Sequence, residues 1–600
     1  MTPRQQEGPV RLGHLLFIGV ALLLLGGGYR LTRIEQTQGE RLRGQARRQH
    51  TARWTVPAQR GSILDCRGRV LAGTVRRPAV FMDPTLIEEP RAAAEKVAPA
   101  LGLDPVQLEG LIRENRDREF VWVKRDLTDD ELEAFNRVRR EHRLGAFVVR
   151  HEPKRVYPYG RLAAQVLGFV GADQTGLAGI EQSFDYVLRG SDGRRSSTVD
   201  ARRRRVRSAA DTYMPPTDGA SVVLSIDAHV QQRAGYHLRN ACEEFEPQWA
   251  AAVVMDPLSG EVLAMVTLPD FDPAEPIPPG LDQAGQQAAQ ELLRNRAVSD
   301  SYEPGSIFKP FVAAPALGAG VARIDEPFVV DGPTHRFGAR TIHDVHPYGT
   351  LALHEVISKS SNIGMGLLGA RCGNELLHEF VRGFGFGEQT GIRLPGEHPG
   401  LVLDFRRWTR YSTQSIPIGQ EVAVTPIQMV TAFSVFCNDG VLYRPRIVRG
   451  VISPQGEIRE DDSRPIEVRR VLAAEVAREF RLRALVEVVT QGTGQRAQIA
   501  DYQVFGKTGT AQVARQAGGG YVPGAYVGSF LGGAPADRPR VAVLVSLYRP
   551  SRGKYYGGTV AAPTVAAIIA DTLDYMRLPP EPPAVGRATT TGHAAQGAAW

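Results

Sequence analysis

An uncharged run of 18 residues near the start of the chain, LGHLLFIGVALLLLGGGY (Leu12–Tyr29), sets the first limit on what this sequence can become. A segment this long and apolar reads as a helix that crosses a bilayer, because in lipid every backbone N–H and C=O must be satisfied within the segment itself. The exit, GGGYRLTR, carries no small-x-small cleavage pattern, so the run reads as an uncleaved anchor rather than a signal peptide. Arginines are denser after it (Arg30, Arg33, Arg41, Arg43, Arg47, Arg48) than before it (Arg4, Arg11). Large following domains are translocated largely regardless of such charges. The expectation is a cytoplasmic tail over 1–11, an anchor over 12–29, and the bulk of the chain outside the cytoplasm.

The remaining length needs two or three domains. Hydrophobic content of 42% and charged content of 23% fit a folded globular protein, and a net charge of +7 on 600 residues does not call for a nucleic-acid partner. The basic residues are unequally divided. Seven are lysine (Lys96, Lys124, Lys154, Lys309, Lys359, Lys507 and Lys554) and the other 65 are arginine. Lysine can lose its proton when its surroundings lower its pKa, and arginine cannot, so each lysine here deserves scrutiny. The four cysteines, Cys66, Cys242, Cys372 and Cys437, are widely spaced and read as free thiols rather than a disulfide framework or a zinc site.

Along the chain, RGSILDCRGRVLAG (60–73) predicts two short strands around a turn, and AAAEKVAPALGL a helix. The basic run Arg202 to Arg207 reads as a solvated hairpin or a surface near anionic lipid or glycan, rather than a nucleic-acid site. From Ser221 the pattern changes. SVVLSID is strand-like, and AAVVMDPLSGEVLAMVTL is two apolar runs joined by a turn, hence a hairpin. Helical patterns fill 290–440. Strand patterns return in YQVFGKTGTAQV and RVAVLVSLY, and APTVAAIIADTLDYM closes the domain as a helix. Strands at both ends with helices between predict a sheet flanked by helices. The end of the chain lacks core-forming residues and reads as disordered.

Three short motifs carry chemistry. In SYEPGSIFKP, Ser306 and Lys309 share one side of a helix that begins at Ser306, with Pro310 in its first turn. A serine hydroxyl is a weak nucleophile until a base takes its proton, and Lys309 can be that base if burial or a second cation brings its pKa down from about 10.4. SKSSN (358–362) gathers hydroxyls and an amide, though such a cluster is more often a cap or turn. GKTGT (506–510) offers a second ammonium, two hydroxyls and a glycine that permits close approach of a ligand; its ordinary reading is a turn, and its spacing excludes a phosphate loop. A second Ser-x-x-Lys, Ser551 to Lys554, has no such companions and reads as a loop.

The order Ser-x-x-Lys, Ser-x-Asn, Lys-Thr-Gly resembles the active-site set of penicillin-binding proteins and serine β-lactamases. RGSILDCRGRVLA resembles the N-terminal signature of class B penicillin-binding proteins, with Cys66 where that family usually has arginine. RVYPYGRLAAQVLGFVGADQTGLAGIEQSFDYVLRG is similar to their pedestal motifs. LSIDAHVQ, MDPLSGEVLAMVTLPDFDP, GFGFGEQTGIRLPGE, IPIGQEVAVTPIQM and VVTQGTG follow in family order, so the resemblance spans roughly 12–575.

The resemblance implies an α+β fold: a transpeptidase domain of the penicillin-binding and serine β-lactamase type, an antiparallel sheet flanked by helices, on an elongated mixed α/β pedestal with an N-terminal transmembrane helix. Its implied limits are a dimerisation-like pedestal over 30–220, the transpeptidase domain over 221–577 and a tail over 578–600. It implies that Ser306 attacks the D-Ala-D-Ala carbonyl of a peptidoglycan stem peptide and that Lys309 is the base. Ser360 and Lys507 would relay the proton to the leaving D-alanine, and Asn362 would orient Lys309 and bind the peptide. Lys507, Thr508, Gly509 and Thr510 would hold the terminal carboxylate, and the N–H groups of Ser306 and Thr510 would form the oxyanion hole. No cofactor or metal is implied. Implied partners are stem peptides, β-lactams, the membrane, a SEDS-type glycosyltransferase and division-complex proteins, with no nucleic acid. GFVGADQTGLAGIEQSFD and GKTGTAQ look more like the division branch; an elongation-type enzyme and a non-catalytic division scaffold stand as alternatives. A β-lactamase fits poorly with the long pedestal.

Overall fold

The computed structural model describes residues 8–198, 212–515 and 519–580. The basic run Arg202 to Arg207 and most of the expected tail lie outside the described residues. The chain divides into two compact units: Met1–Gln59 with Gly190–Asp218, and Arg60–Arg189 with Gly219–Trp600.

The first unit holds the helix Gly8–His50 and an antiparallel sheet of Thr51–Val56, Gly193–Thr198 and Thr212–Met214. Within the helix, Gly13–Gln38 is long and apolar enough to cross a membrane, with a mean hydropathy of 1.8. Helical structure thus continues well past Tyr29, where the apolar run ends. Leu15, Phe17, Leu23 and Leu24 are exposed, as lipid-facing side chains are.

The second unit contains both larger sheets. One joins, in order, Ile458–Asp461, Val448–Ile452, Ser221–Leu224, Ile63–Leu64, Val70–Met82 and Val121–Lys124, with Phe147–Val156 also paired to Val70–Met82. Strands from either side of residue 220 are therefore neighbours in one sheet, Ile63 opposite Val222. The turn predicted between the two strands in RGSILDCRGRVLAG falls at Asp65–Gly68.

The other sheet is five-stranded and antiparallel, in the order Glu261–Leu268, Trp249–Asp256, Val541–Tyr548, Tyr521–Ala534, Phe505–Ala514. Its inner strands are apolar at nearly every position, the pattern of a sheet covered on both faces. Val254 and Val543 face the helices Ala228–Phe245 and Ala562–Tyr575. Their neighbours Val253 and Leu544 face the helical region, which includes Pro426–Ser434 with Met429 and Phe433. Phe505–Ala514, with GKTGT in it, is an edge strand rather than a turn. All four cysteines are free, as expected, and Cys437 is buried. Burial and the Asp227 carboxylate push the Cys66 thiol up to about 12.

Candidate active site

The turn that carries Ser306 is set by its neighbours in sequence. Pro304 and Gly305 precede Ser306, and Gly305 takes a left-handed φ of 58° that a side chain would resist. The chain then makes a single 3₁₀ turn, Gly305–Phe308, before the α-helix Pro310–Gly318 begins. The sequence predicts that Ser306 opens an α-helix; it lies instead within this 3₁₀ turn. The consequence expected of it survives, because a 3₁₀ turn has 3.0 residues and eclipses positions i and i+3. Pro310 sits at the first position of the α-helix, where its missing N–H costs least.

The edge strand lies against this turn. A Cβ on Gly509 would stand 2.8 Å from Ile307 Cγ2 and 3.3 Å from the Pro304 carbonyl oxygen. On the face where a Cβ would stand, the close approach that glycine permits is made by Ile307 and Pro304. The strand that carries Lys507, Thr508 and Thr510 thus packs against the turn that carries Ser306.

The third motif closes the site from the other side. Ser361 caps the helix Asn362–Gly383, accepting the Gly364 N–H at 2.9 Å. Ser360, just outside the helix, holds a left-handed φ of 61°. For a residue with a Cβ this costs about 1–2 kcal/mol. Lys309 Nζ donates to the Ser360 carbonyl at 2.5 Å, to Ser360 Oγ at 3.1 Å and to Asn362 Oδ1 at 2.8 Å. Lys507 Nζ donates to the same Ser360 Oγ at 2.9 Å and to the Thr508 carbonyl at 3.1 Å. One hydroxyl thus joins two ammonium groups.

Both lysines are fully buried. Desolvation brings the Lys309 pKa down to about 7, opposed only by the Asp344 carboxylate. Burial, and after it the charge of Lys309, holds Lys507 well below the ordinary lysine range. Two ammonium groups sharing one buried hydroxyl cannot both remain charged at neutral pH without large cost. Ser306 Oγ makes no hydrogen bond to another described residue, so nothing among them ties it down before a substrate arrives.

Thr508 Oγ1 lies 2.5 Å from Thr493 Oγ1, which comes from the stretch VVTQGTG. Thr510 Oγ1 accepts the N–H of Gly557 at 3.2 Å. Beside Gly557, Tyr526, Tyr555 and Tyr556 stack with centroids 4.1 and 4.6 Å apart. None of Thr493, the tyrosines or Asp344 is singled out by sequence reasoning. VVTQGTG is visible only through family order, and Asp344 stands in a polar loop with no spacing signal. Ser551 and Lys554 are exposed, in a segment without regular structure, as expected of the second Ser-x-x-Lys.

Comparison with known proteins accords with this geometry. Residues 250–570 match the family model described as penicillin binding protein transpeptidase domain, and 55–224 match the penicillin-binding protein dimerisation domain. The chain is 33% identical to stage V sporulation protein D of Bacillus subtilis, over 95% of this chain and 86% of that protein. It is 31% identical to peptidoglycan D,D-transpeptidase FtsI of Escherichia coli, over 90% and 86%. Among solved structures, penicillin binding protein 3 from Mycobacterium tuberculosis in complex with aztreonam superposes with a TM-score of 0.67 at 30% identity, covering 88% of this chain and 99% of that one. With a transpeptidase domain, a dimerisation domain and near full-length similarity to such relatives, this chain belongs to the class B penicillin-binding proteins.

Proposed function

We propose that this protein is a membrane-anchored peptidoglycan D,D-transpeptidase that works through an acyl-enzyme on Ser306. The observation that carries the reading is the convergence of Lys309 and Lys507 on Ser360 Oγ, with Lys309 titrating near 7 three residues after Ser306. A lysine neutral at working pH can accept the Ser306 proton as the oxygen attacks the D-Ala-D-Ala carbonyl. The N–H groups of Ser306 and Thr510 hold the developing oxyanion. When the C–N bond breaks, the leaving D-alanine nitrogen takes that proton back through Ser360, with Lys507 on the far side of the relay. The acceptor amine of a second stem then attacks the ester carbonyl and gives up a proton to Lys309; as the C–O bond to Ser306 breaks, Lys309 passes that proton to the Ser306 oxygen. Asn362 orients Lys309 and binds the peptide, and Lys507, Thr508, Gly509 and Thr510 receive the terminal carboxylate. β-Lactams mimic the donor and acylate the same serine.

The limits 30–220 for the pedestal and 221–577 for the transpeptidase domain form part of this proposal, supported by the two family-model spans. So does a single pass through the bacterial cytoplasmic membrane with the site on the outer side, supported by the helix at Gly13–Gln38. We assign the septal branch, with a SEDS-type glycosyltransferase and division-complex proteins as partners, on the likeness of GFVGADQTGLAGIEQSFD and GKTGTAQ. The test of the activity is release of D-alanine from a stem pentapeptide with formation of the cross-linked product when an acceptor stem is added. Ser306→Ala must abolish both; release that persists in Ser306→Ala contradicts the proposal. For the branch, depletion in cells must give filaments, and rounding would assign the elongation branch instead.

A further inference from the structure

The hairpin formed by Thr334–Phe337 and Arg340–His343 leads directly to a carboxylate that the mechanism above does not use. Asp344 is 8% exposed. Its Oδ1 accepts the backbone N–H of Asn362 and, at 3.1 Å, that of Ile363, while its Oδ2 takes the Ser361 hydroxyl. These are the first groups of the helix Asn362–Gly383, whose positive end favours an anion at this place. One residue earlier, the His343 carbonyl accepts from Asn362 Nδ2 at 2.9 Å. Asn362 is therefore held by its backbone and by its amide nitrogen, through two consecutive residues remote from it in sequence. What remains free is Oδ1, and that atom accepts from Lys309 Nζ. Protonated lysine offers only donors, so the amide must present its oxygen to hold the Lys309 ammonium.

The charged groups that act on Lys309 come from two directions. Lys507 reaches it from the strand Phe505–Ala514, and Asp344 from the hairpin. Every hydrogen-bond partner of either lysine is a neutral oxygen. Burial, and after it the Asp344 charge, raises the pKa of the neighbouring Tyr348 phenol, whose hydroxyl donates to the Lys359 carbonyl at 3.4 Å.

We propose that Asp344 is a positioning residue for acyl transfer: it fixes Asn362, and through Asn362 the amine of Lys309, and it supplies the negative charge that this site otherwise lacks. The inference rests on the function proposed above. It predicts separate consequences for removing the charge and for misplacing it. Asp344→Asn keeps an acceptor oxygen for the two N–H groups and loses the charge. Asp344→Glu keeps the charge and moves it by one methylene.

The test is the rate of covalent labelling of the detergent-solubilised full chain by a fluorescent penicillin, measured across the neutral pH range, with the thermal unfolding of each variant. For Asp344→Asn the pH of half-maximal rate falls by about one unit, because an opposite charge near a lysine favours its charged form. For Asp344→Glu that pH stays and the plateau rate falls about tenfold or more, as misplaced catalytic groups do. Both variants lowering the plateau with no movement of the midpoint would reduce Asp344 to a helix cap and overturn the proposal, as would profiles that superimpose. Should Asp344→Asn fail to fold, Asp344→Glu decides alone, and a plateau equal to that of the unchanged protein overturns the proposal. Failure of the unchanged, folded protein to label sinks the transpeptidase reading and this inference with it. Labelling of the unchanged protein with no response to Asp344 sinks only the inference.

Discussion

Two places in the second unit bury charge, and they do so in opposite ways. Around Glu181, Arg60 Nε meets Oε2 at 2.7 Å and Arg155 Nε meets Oε1 at 2.6 Å, with all three side chains no more than 2% exposed. Arg60 also donates to Asp185 and to the Glu181 carbonyl, and Arg155 to the Gly61 carbonyl. Here the charges are matched at close range and tie Arg60, Arg155 and the Glu181 segment together. In the active site, Lys309 and Lys507 are as deeply buried, yet hydrogen-bond only to neutral oxygens. Pairing holds a charge in place; burial without pairing makes a group give up its proton. The first arrangement serves the fold, and the second suits the base proposed for Lys309, at a cost in stability.

The largest effect that sharpens this contrast is in Lys309→Met. Loss of the base should slow penicillin labelling by about 10²–10⁴-fold. The same change removes an unpaired buried amine, so the unfolding transition should stay where it is or move up. A fall in both rate and stability would break the comparison. Next is Glu181→Gln, which leaves buried Arg155 facing no carboxylate and buried Arg60 with only Asp185. It should cost about 3–5 kcal/mol in denaturant unfolding while the folded fraction still labels at the normal rate.

A third effect is in pH. The labelling rate should rise with pH through about 7, where Lys309 loses its proton. The stability consequence has the opposite sign from that of a paired lysine. Between about 7 and the ordinary value of 10.5 the unfolded chain binds a proton at Lys309 that the folded chain does not. Stability from this site therefore increases with pH over that window. Unfolding midpoints of the unchanged protein relative to Lys309→Met, taken across these pH values, should show the rise; a flat difference would contradict it. The smallest effect belongs to the rim of the paired cluster. Asp185 is 23% exposed and meets Arg60 Nη1, so Asp185→Asn should cost about 1 kcal/mol or less in the same unfolding assay.

Much of the site is legible in the sequence because its motifs are short and local. Ser306 and Lys309 are set by one turn, and Ser360 and Asn362 by the start of one helix. What joins them is not local. Lys507 reaches Ser360 Oγ across 147 positions of sequence. Asp344 reaches Asn362 from a hairpin whose residues carry no periodic or motif signal. The sheet Trp249–Tyr548 is readable from its apolar runs, since both of its faces are covered. The sheet that joins Ile63–Leu64 to Ser221–Leu224 is not, because two short strands say nothing about which partner they take. Gly305, at the start of the 3₁₀ turn, also packs against Ala511, a contact no local propensity encodes.

The most direct test of the central claim, that Ser306 is the acylated nucleophile, is fluorescent penicillin labelling of the full chain beside Ser306→Ala and Ser551→Ala. The account predicts a stable covalent band in the unchanged protein and in Ser551→Ala, and none in Ser306→Ala. A band that persists in Ser306→Ala, or no band in folded unchanged protein, would contradict it.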